Sequence, residues 1–203
     1  MSRSDPCNKA PIKKYLRQFA KNNSAKTISI LDLGIGEGDF GAIAKKILPM
    51  TVKLTGVEVR KKYEHPQWKL YNKIYLIDIR KFLFNKKKKY DLIFLIDVLE
   101  HFNEQDGKEI LMKLKILTKH ALLISTPITN YPQGAYLGNP YEKHKHFWSD
   151  KDLEKEGFKQ IFRKRVYTWQ KKPKFSTLGI FVYEPISKNL KRFKWRLLNG
   201  KTK

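Results

Sequence analysis

The 203-residue chain holds one cysteine, Cys7, so no intrachain disulfide supports it. It lacks any apolar stretch near the ~20 residues that a membrane-spanning helix requires. Its first residues, Met-Ser-Arg-Ser-Asp-Pro, contain no apolar core of the kind a secretory signal carries. These absences predict a cytoplasmic protein without a transmembrane segment. In that compartment Asn22-Asn23-Ser24 has no meaning as a glycosylation sequon. No internal repeat and no linker divides the chain. Gly200-Lys201-Thr202 does not close a phosphate loop, because the loop's first glycine would fall at position 195, which is Trp.

Acidic residues are also scarce. There are 19 Asp and Glu against 43 Lys and Arg, a formal charge of +24. Clustered basic residues gain affinity for polyanions by releasing phosphate counterions, so nucleic acid is one partner to weigh. Lysine, isoleucine and asparagine are all abundant, as biased codon usage would produce. Lys86 to Lys89 reads as a solvated loop between strands.

What the chain does have is concentrated at residues 30–41, Ile-Leu-Asp-Leu-Gly-Ile-Gly-Glu-Gly-Asp-Phe-Gly. The apolar run Ile28 to Leu33 reads as a buried parallel strand, with one acid, Asp32, near its end. Gly34, Gly36 and Gly38 read as a tight turn into a helix. Ligands of open α/β sheets lie at such strand ends. The dinucleotide fingerprint G-x-G-x-x-G would need a glycine at position 39, which is Asp39; the pattern here is D-x-G-x-G-x-G. A second strand, Val52 to Val59, carries Glu58. That acid lies 26 residues beyond Asp32, near the ~20 expected for a ribose-binding carboxylate.

These residues resemble the class I S-adenosylmethionine-dependent methyltransferases, and the likeness runs from about Thr27 to Glu184. The resemblance implies that Asp32, Gly34, Gly36 and Gly38 hold the methionine end of the cofactor, and that Glu58 holds the ribose. Asp78, followed by Ile79, matches the position that contacts the adenine amino group. Tyr90 to Phe102, Tyr-Asp-Leu-Ile-Phe-Leu-Ile-Asp-Val-Leu-Glu-His-Phe, matches the fourth-strand motif and places Asp97 on the cofactor. Its Leu-Glu-His ending is typical of the branch that modifies small molecules, sugars and some RNAs.

Strands are predicted at 27–33, 52–59, 73–79, 91–97 and 120–126, and helices at 12–21, 39–48, 65–71 and 105–118. This alternation predicts an α/β, Rossmann-like, doubly wound sheet. A short helix at 149–156 and strands at 158–168 and 176–184 would complete seven strands, the last two an antiparallel hairpin. One domain is expected over 1–203: a helical N-terminal segment to 26, a catalytic core over 27–185, and a basic tail over 186–203. Between Lys188 and Lys203 lie seven basic residues and no acid, with Phe193, Trp195, Leu197 and Leu198 interleaved. That tail reads either as an RNA- or membrane-surface segment or as a helix docking on the domain.

The reaction site is expected at two strand ends. Methyl transfer to oxygen needs a deprotonated or polarised hydroxyl, which a histidine base or a metal can provide. Glu100 and His101 end the fourth strand; His144 and His146 lie in the long polar loop after the fifth, and loops of that length are usually functional. If the chain turns helical after Asp97, then Asp97, Glu100 and His101 share a face. E-H followed by H-x-x-x-W resembles the metal-dependent methyltransferases of RNA 3′-terminal ribose. That match implies Glu100, His101 and His144 as ligands of a divalent ion such as Mg or Mn, with Asp97 replacing the family's first Glu. The loop from Thr126 to Trp148 also resembles small methyltransferases of polysaccharide synthesis, and this match is longer and more continuous. The expected acceptor is thus a sugar hydroxyl of a glycan or glycoside, with Glu100, His101 and His144 catalytic; RNA ribose is the alternative. Tyr131, Tyr136, Tyr141 and Trp148 could stack on sugars or bases, and Trp148 could equally be a core anchor. The Asn/Asp-Pro-Pro-Tyr element of many N-methyltransferases is absent after the fourth strand.

Overall fold

A strand that is apolar on both faces must be covered on both sides, and Thr27–Leu33 is such a strand. It forms β1 in a computed structural model that describes residues 6–135, 138–168 and 174–185. The expectations for Tyr136 and for the basic tail from residue 186 lie outside the described residues. Ile28 and Ile30 point to one side of β1, where they pack with Ile12 and Leu16 of α1 (Lys9–Lys21) and Ala44 of α2 (Asp39–Ile47). Leu31 and Leu33 point to the other, against α3 (Ile79–Leu83) and α4 (Glu104–Leu117). β4 (Tyr90–Ile96) divides in the same way, with Leu92, Phe94 and Ile96 on the first side and Ile93 and Leu95 on the second.

β1 lies between β2 (Thr51–Glu58) and β4, and β3 (Lys73–Leu76) lies outside β2. Beyond β4 come β5 (Thr118–Pro127), β7 (Lys174–Tyr183) and β6 (Lys159–Thr168). The first five strands pair in parallel and the last two are antiparallel, giving the order β3-β2-β1-β4-β5-β7-β6. This is the doubly wound, Rossmann-like architecture with an antiparallel C-terminal hairpin that the sequence predicted. The strand order reverses between β1 and β4, and the carboxyl ends at such a point form the ligand crevice of these sheets. Among the described residues no helix is long and apolar enough to cross a membrane.

Three local expectations need correction. The helix predicted at 65–71 is a 3₁₀ turn, Pro66–Leu70, with Pro66 at its start and the His65 ring accepting from the Gln67 N–H. The strand predicted at 73–79 stops at Leu76, because Asp78 caps a helix that the pattern did not show: its carboxylate accepts from the Arg80 N–H at 2.8 Å and starts α3. Asp97, Glu100 and His101 do not share one helical face, since Asp97 has φ +54° and only Leu99–His101 coils, as a 3₁₀ turn. Of the two readings of Trp148, the core anchor holds: its ring is 1% exposed and packs against Gly107 of α4. α5 (Asp150–Lys155) follows at once, fixed by a capping box between Ser149 and Asp152.

Candidate active site

The glycine turn is held from behind. Gly34, Gly36 and Gly38 have φ of 70°, 49° and 90°, a region L-residues rarely adopt. At Gly34 a side chain would also collide with Val98, since a Cβ would lie 2.5 Å from its Cγ2. The Trp68 indole N–H donates to the Gly36 carbonyl at 2.8 Å. The Tyr71 hydroxyl donates to Asp32 Oδ2 at 2.5 Å. Tyr71 can approach so closely because its ring lies against Gly41 of α2 and Gly56 of β2. Burial pushes the Asp32 carboxyl up to about 7, with Glu58 adding to the rise and the Tyr71 bond opposing it.

In front of the turn lies a pocket whose polar wall comes from successive strand ends. Gly34 and Gly36 follow β1, Glu58 ends β2, Asp78 follows β3, and Asp97 and His101 follow β4. Glu58 is fixed at both oxygens: Oε2 accepts from the Gly36 N–H at 3.0 Å, and Oε1 from the N–H groups of Val59 at 2.8 Å and Arg60 at 3.0 Å. Burial raises its pKa above the usual carboxylate range, and those three donors oppose the rise. Asp78 is held below that range chiefly by its hydrogen bond from the Arg80 guanidinium. The Asp97 carboxylate accepts from the Asn8 amide, at 3.1 and 2.9 Å, and from the Ser125 hydroxyl at 2.5 Å. Three lining residues are bonded together: the Tyr63 hydroxyl donates to Glu142 Oε1 at 2.7 Å and accepts from the Asn139 amide at 2.9 Å.

The long loop folds back so that His144 meets the end of β4. Lys145 N–H donates to the Glu100 carbonyl at 2.8 Å, and His144 N–H to the Gln133 carbonyl at 3.0 Å. Ligand atoms of Glu100, His101 and His144 then lie within 4.8 Å of one another. His144 Nδ1 donates to the Tyr131 carbonyl at 2.7 Å, and His101 Nδ1 makes a longer contact, 3.4 Å, with that of Lys143. Each ring is thus held at Nδ1 by a backbone carbonyl, the kind of contact that orients metal-binding histidines. Burial, reinforced by His144, pushes His101 down to about 4; burial also lowers His144, so both rings are neutral near pH 7. Glu100 is 4% exposed, and its Oε2 accepts from the Thr126 hydroxyl at 3.1 Å. Burial and the nearby Asp97 push its pKa well above the usual range. A buried carboxylate beside two neutral imidazoles is a donor set that fits a divalent cation. Glu100 and His144 also line a second cavity of about 130 Å³, with Asn130, Tyr131, His146 and Phe147.

A family profile described as Methyltransferase domain matches residues 7–164, well over half of the chain. The chain belongs to this family. Solved structures agree on the fold. The 1,6-didemethyltoxoflavin-N1-methyltransferase of Burkholderia thailandensis, with 1,6-didemethyltoxoflavin and S-adenosylhomocysteine bound, has a TM-score of 0.59 at 14% identity, over 89% of this chain and 80% of that one. Magnesium protoporphyrin IX methyltransferase from Synechocystis PCC 6803, with S-adenosylhomocysteine bound, has a TM-score of 0.57 at 14% identity, over 91% of this chain and 90% of that one. No curated protein sequence matches the chain.

In this methyltransferase Gly34, Gly36, Glu58, Asp78, Ile79, Asp97 and His101 share the first pocket. Asp32 and Gly38 do not line it: Asp32 is tied to Tyr71, and Gly38 caps α2 against Gln67, Tyr71 and Trp68. Glu100, His101 and His144 come together, while Asp97 stands outside that cluster with its carboxylate turned to Asn8 and Ser125. Trp68, Tyr71, Asn8, Glu142 and Lys145 have structural roles at the site that the sequence reading did not assign. Asn139-Pro140 was the one local signal available, an Asx residue before a helix-starting proline. Nothing local marks Asn8 as the partner of a residue 89 positions away.

Proposed function

We propose that this methyltransferase uses S-adenosylmethionine to methylate a sugar hydroxyl of a glycan or glycoside, with a divalent cation, Mg or Mn, held by Glu100, His101 and His144. The observation that carries the reading is where the trio stands: His101 lines the first pocket, and Glu100 and His144 line the second cavity. A hydroxyl bound in the second cavity would meet the trio at its border with the cofactor. Bound S-adenosylmethionine supplies a methyl group on a positively charged sulfur. A divalent cation would act as a Lewis acid on the acceptor oxygen.

The chain's own groups suit these roles. Glu58, anchored at the end of β2, can accept from both ribose hydroxyls. Asp78 and the apolar side chains of Val57, Ile79 and Phe102 suit the adenine end. Tyr131 and Phe147 offer faces to the C–H side of a sugar ring. A neutral amine needs no activation before attack, whereas a hydroxyl must lose its proton, so a donor set able to hold a cation that would acidify a bound hydroxyl, the proton leaving to solvent, favours oxygen. RNA ribose is the second reading, favoured by the +24 charge.

One radiolabelled methyl-transfer screen tests the acceptor, using glycosides, nucleotide sugars and short RNAs. Label is expected in glycosides with adjacent free hydroxyls; label in RNA and in no carbohydrate would reverse the order. Exhaustive chelation should abolish turnover and Mg or Mn should restore it. Undiminished turnover after chelation would remove the cation and leave His144 as the base. Calorimetry with S-adenosylhomocysteine should show Glu58→Ala binding weakened by roughly 10- to 150-fold, the equivalent of ~1.5–3 kcal/mol. His101→Ala should lose turnover while still binding it.

A further inference from the structure

α1 and α2 pack side by side and leave a cleft of about 400 Å³ between them. Lys9, Lys13 and Arg17 follow at i, i+4 and i+8 along α1, so they stand in one row with steps of about 6 Å. Lys46 of α2 faces them across the cleft. Lys9 is neutralised by Asp39 at 2.6 Å. Lys13, Arg17 and Lys46 form no ion pair with a carboxylate among the described residues. Like charges at i, i+4 destabilise a helix by about 0.2–0.5 kcal/mol, so folding alone does not reward this row.

We propose that the cleft binds the phosphate backbone of single-stranded nucleic acid. The steps along the row are close to the separation of neighbouring phosphates on an extended strand. The cleft is concave, which suits a strand lying in it rather than a planar surface. Ile43 and Ile47 supply an apolar side to it for sugar or base faces. A membrane surface needs protruding apolar side chains, and the large exposed ones among the described residues all lie off α1 and α2: Leu70, Leu76, Phe84, Met112, Ile116, Tyr141 and Phe147. Next to Lys9 in the chain stands Asn8, whose amide bonds to the pocket-lining Asp97, so the Lys9 end of the row is tied to the first pocket. Recognition here is of phosphate, and it stands apart from which hydroxyl is methylated.

The test is fluorescence anisotropy of a labelled short oligouridine RNA with the full chain, across about 50 to 200 mM salt. Lys13→Ala/Arg17→Ala/Lys46→Ala is compared with Lys53→Ala/Lys87→Ala/Lys89→Ala, which removes the same charge from exposed positions elsewhere. The cleft variant should bind roughly tenfold more weakly, and the slope of log affinity on log salt should shrink by about 2, at ~0.7 per phosphate contact. The control variant should keep both close to wild type. Arg17→Glu/Lys46→Glu, at two exposed positions, repeats the comparison should the triple variant melt early. Equal weakening in the cleft and control variants would mean that net charge alone binds RNA, and would overturn the proposal. So would an unchanged cleft variant, or one that loses phosphatidylserine vesicles while keeping RNA.

Discussion

Tyr71→Phe removes one oxygen atom and should act through Asp32. The hydroxyl donates to a buried carboxylate at 2.5 Å, and phenylalanine leaves the ring in its place between Gly41 and Gly56. The effect depends on whether Asp32 is charged. Its folded pKa is about 7 against an ordinary 3.8, so the folded chain holds this proton more tightly than the unfolded chain. Stability contributed by the group therefore falls as pH rises from about 4 to about 7 and is level above that. Without the tyrosine donor the folded pKa rises further, and the fall extends to higher pH.

The wild-type and variant curves should diverge as pH increases. At about pH 5.5 Asp32 is protonated in both, and a lost neutral hydrogen bond costs about 0.5–1.5 kcal/mol. At about pH 8.5 the wild-type bond is to a charged acceptor, and its loss costs about 1.5–3 kcal/mol. For a chain of this length the second figure corresponds to a fall in Tm of about 3–12 °C. Thermal unfolding of both proteins at the two pH values, without cofactor, reads the difference. An equal Tm shift at both, or none at the higher pH, would refute the argument that a buried Asp32 charge is what Tyr71 stabilises.

Gly34→Ala should impair binding of S-adenosylhomocysteine in calorimetry, because φ of +70° costs an L-residue roughly 1–2 kcal/mol and the new methyl meets Val98. Adding Val98→Ala should restore part of the loss, and no restoration would mean that the clash is not the cause. Gly107→Ala should lower Tm although alanine favours helix by ~1 kcal/mol, since its Cβ would lie 2.4 Å from Trp148 Cζ2. A Tm at or above wild type would show that the indole does not sit there.

The sheet was legible because its signal is local. Strands such as Ile28–Leu33 and Leu92–Ile96 are apolar runs, and burial on both faces requires that. The glycine turn and Glu58 were legible for the same reason, being fixed by strand ends and spacing. What escaped depends on contacts between distant segments. Asp32 carries the expected acid, yet its direction is decided by Tyr71, 39 residues on, and by the two glycines that admit that ring. Asp78 falls inside an apolar run that reads as strand to residue 79, yet it starts a helix by accepting from the Arg80 N–H, a bond that only the folded backbone shows. Glu100, His101 and His144 are linked in the sequence only by the likeness of a few residues; the bond from Lys145 N–H to the Glu100 carbonyl and the one within the loop to Gln133 bring His144 beside the other two.

Asp97 shows how one backbone angle arranges the site. It is the one non-glycine among the described residues with positive φ, a conformation that costs of order 1–3 kcal/mol and persists only when its surroundings fix it. Asn8 from the N-terminal segment and Ser125 from β5 do so by bonding its carboxylate. The turn that results sends neighbouring side chains into different compartments. Asp97 and His101 line the first pocket, while Glu100 is buried under Thr126 and lines the second cavity. A continuous helix from Asp97 would have put all three on one face. The strained residue thus separates its own carboxylate, in the first pocket, from the carboxylate of the trio, three residues later in the chain.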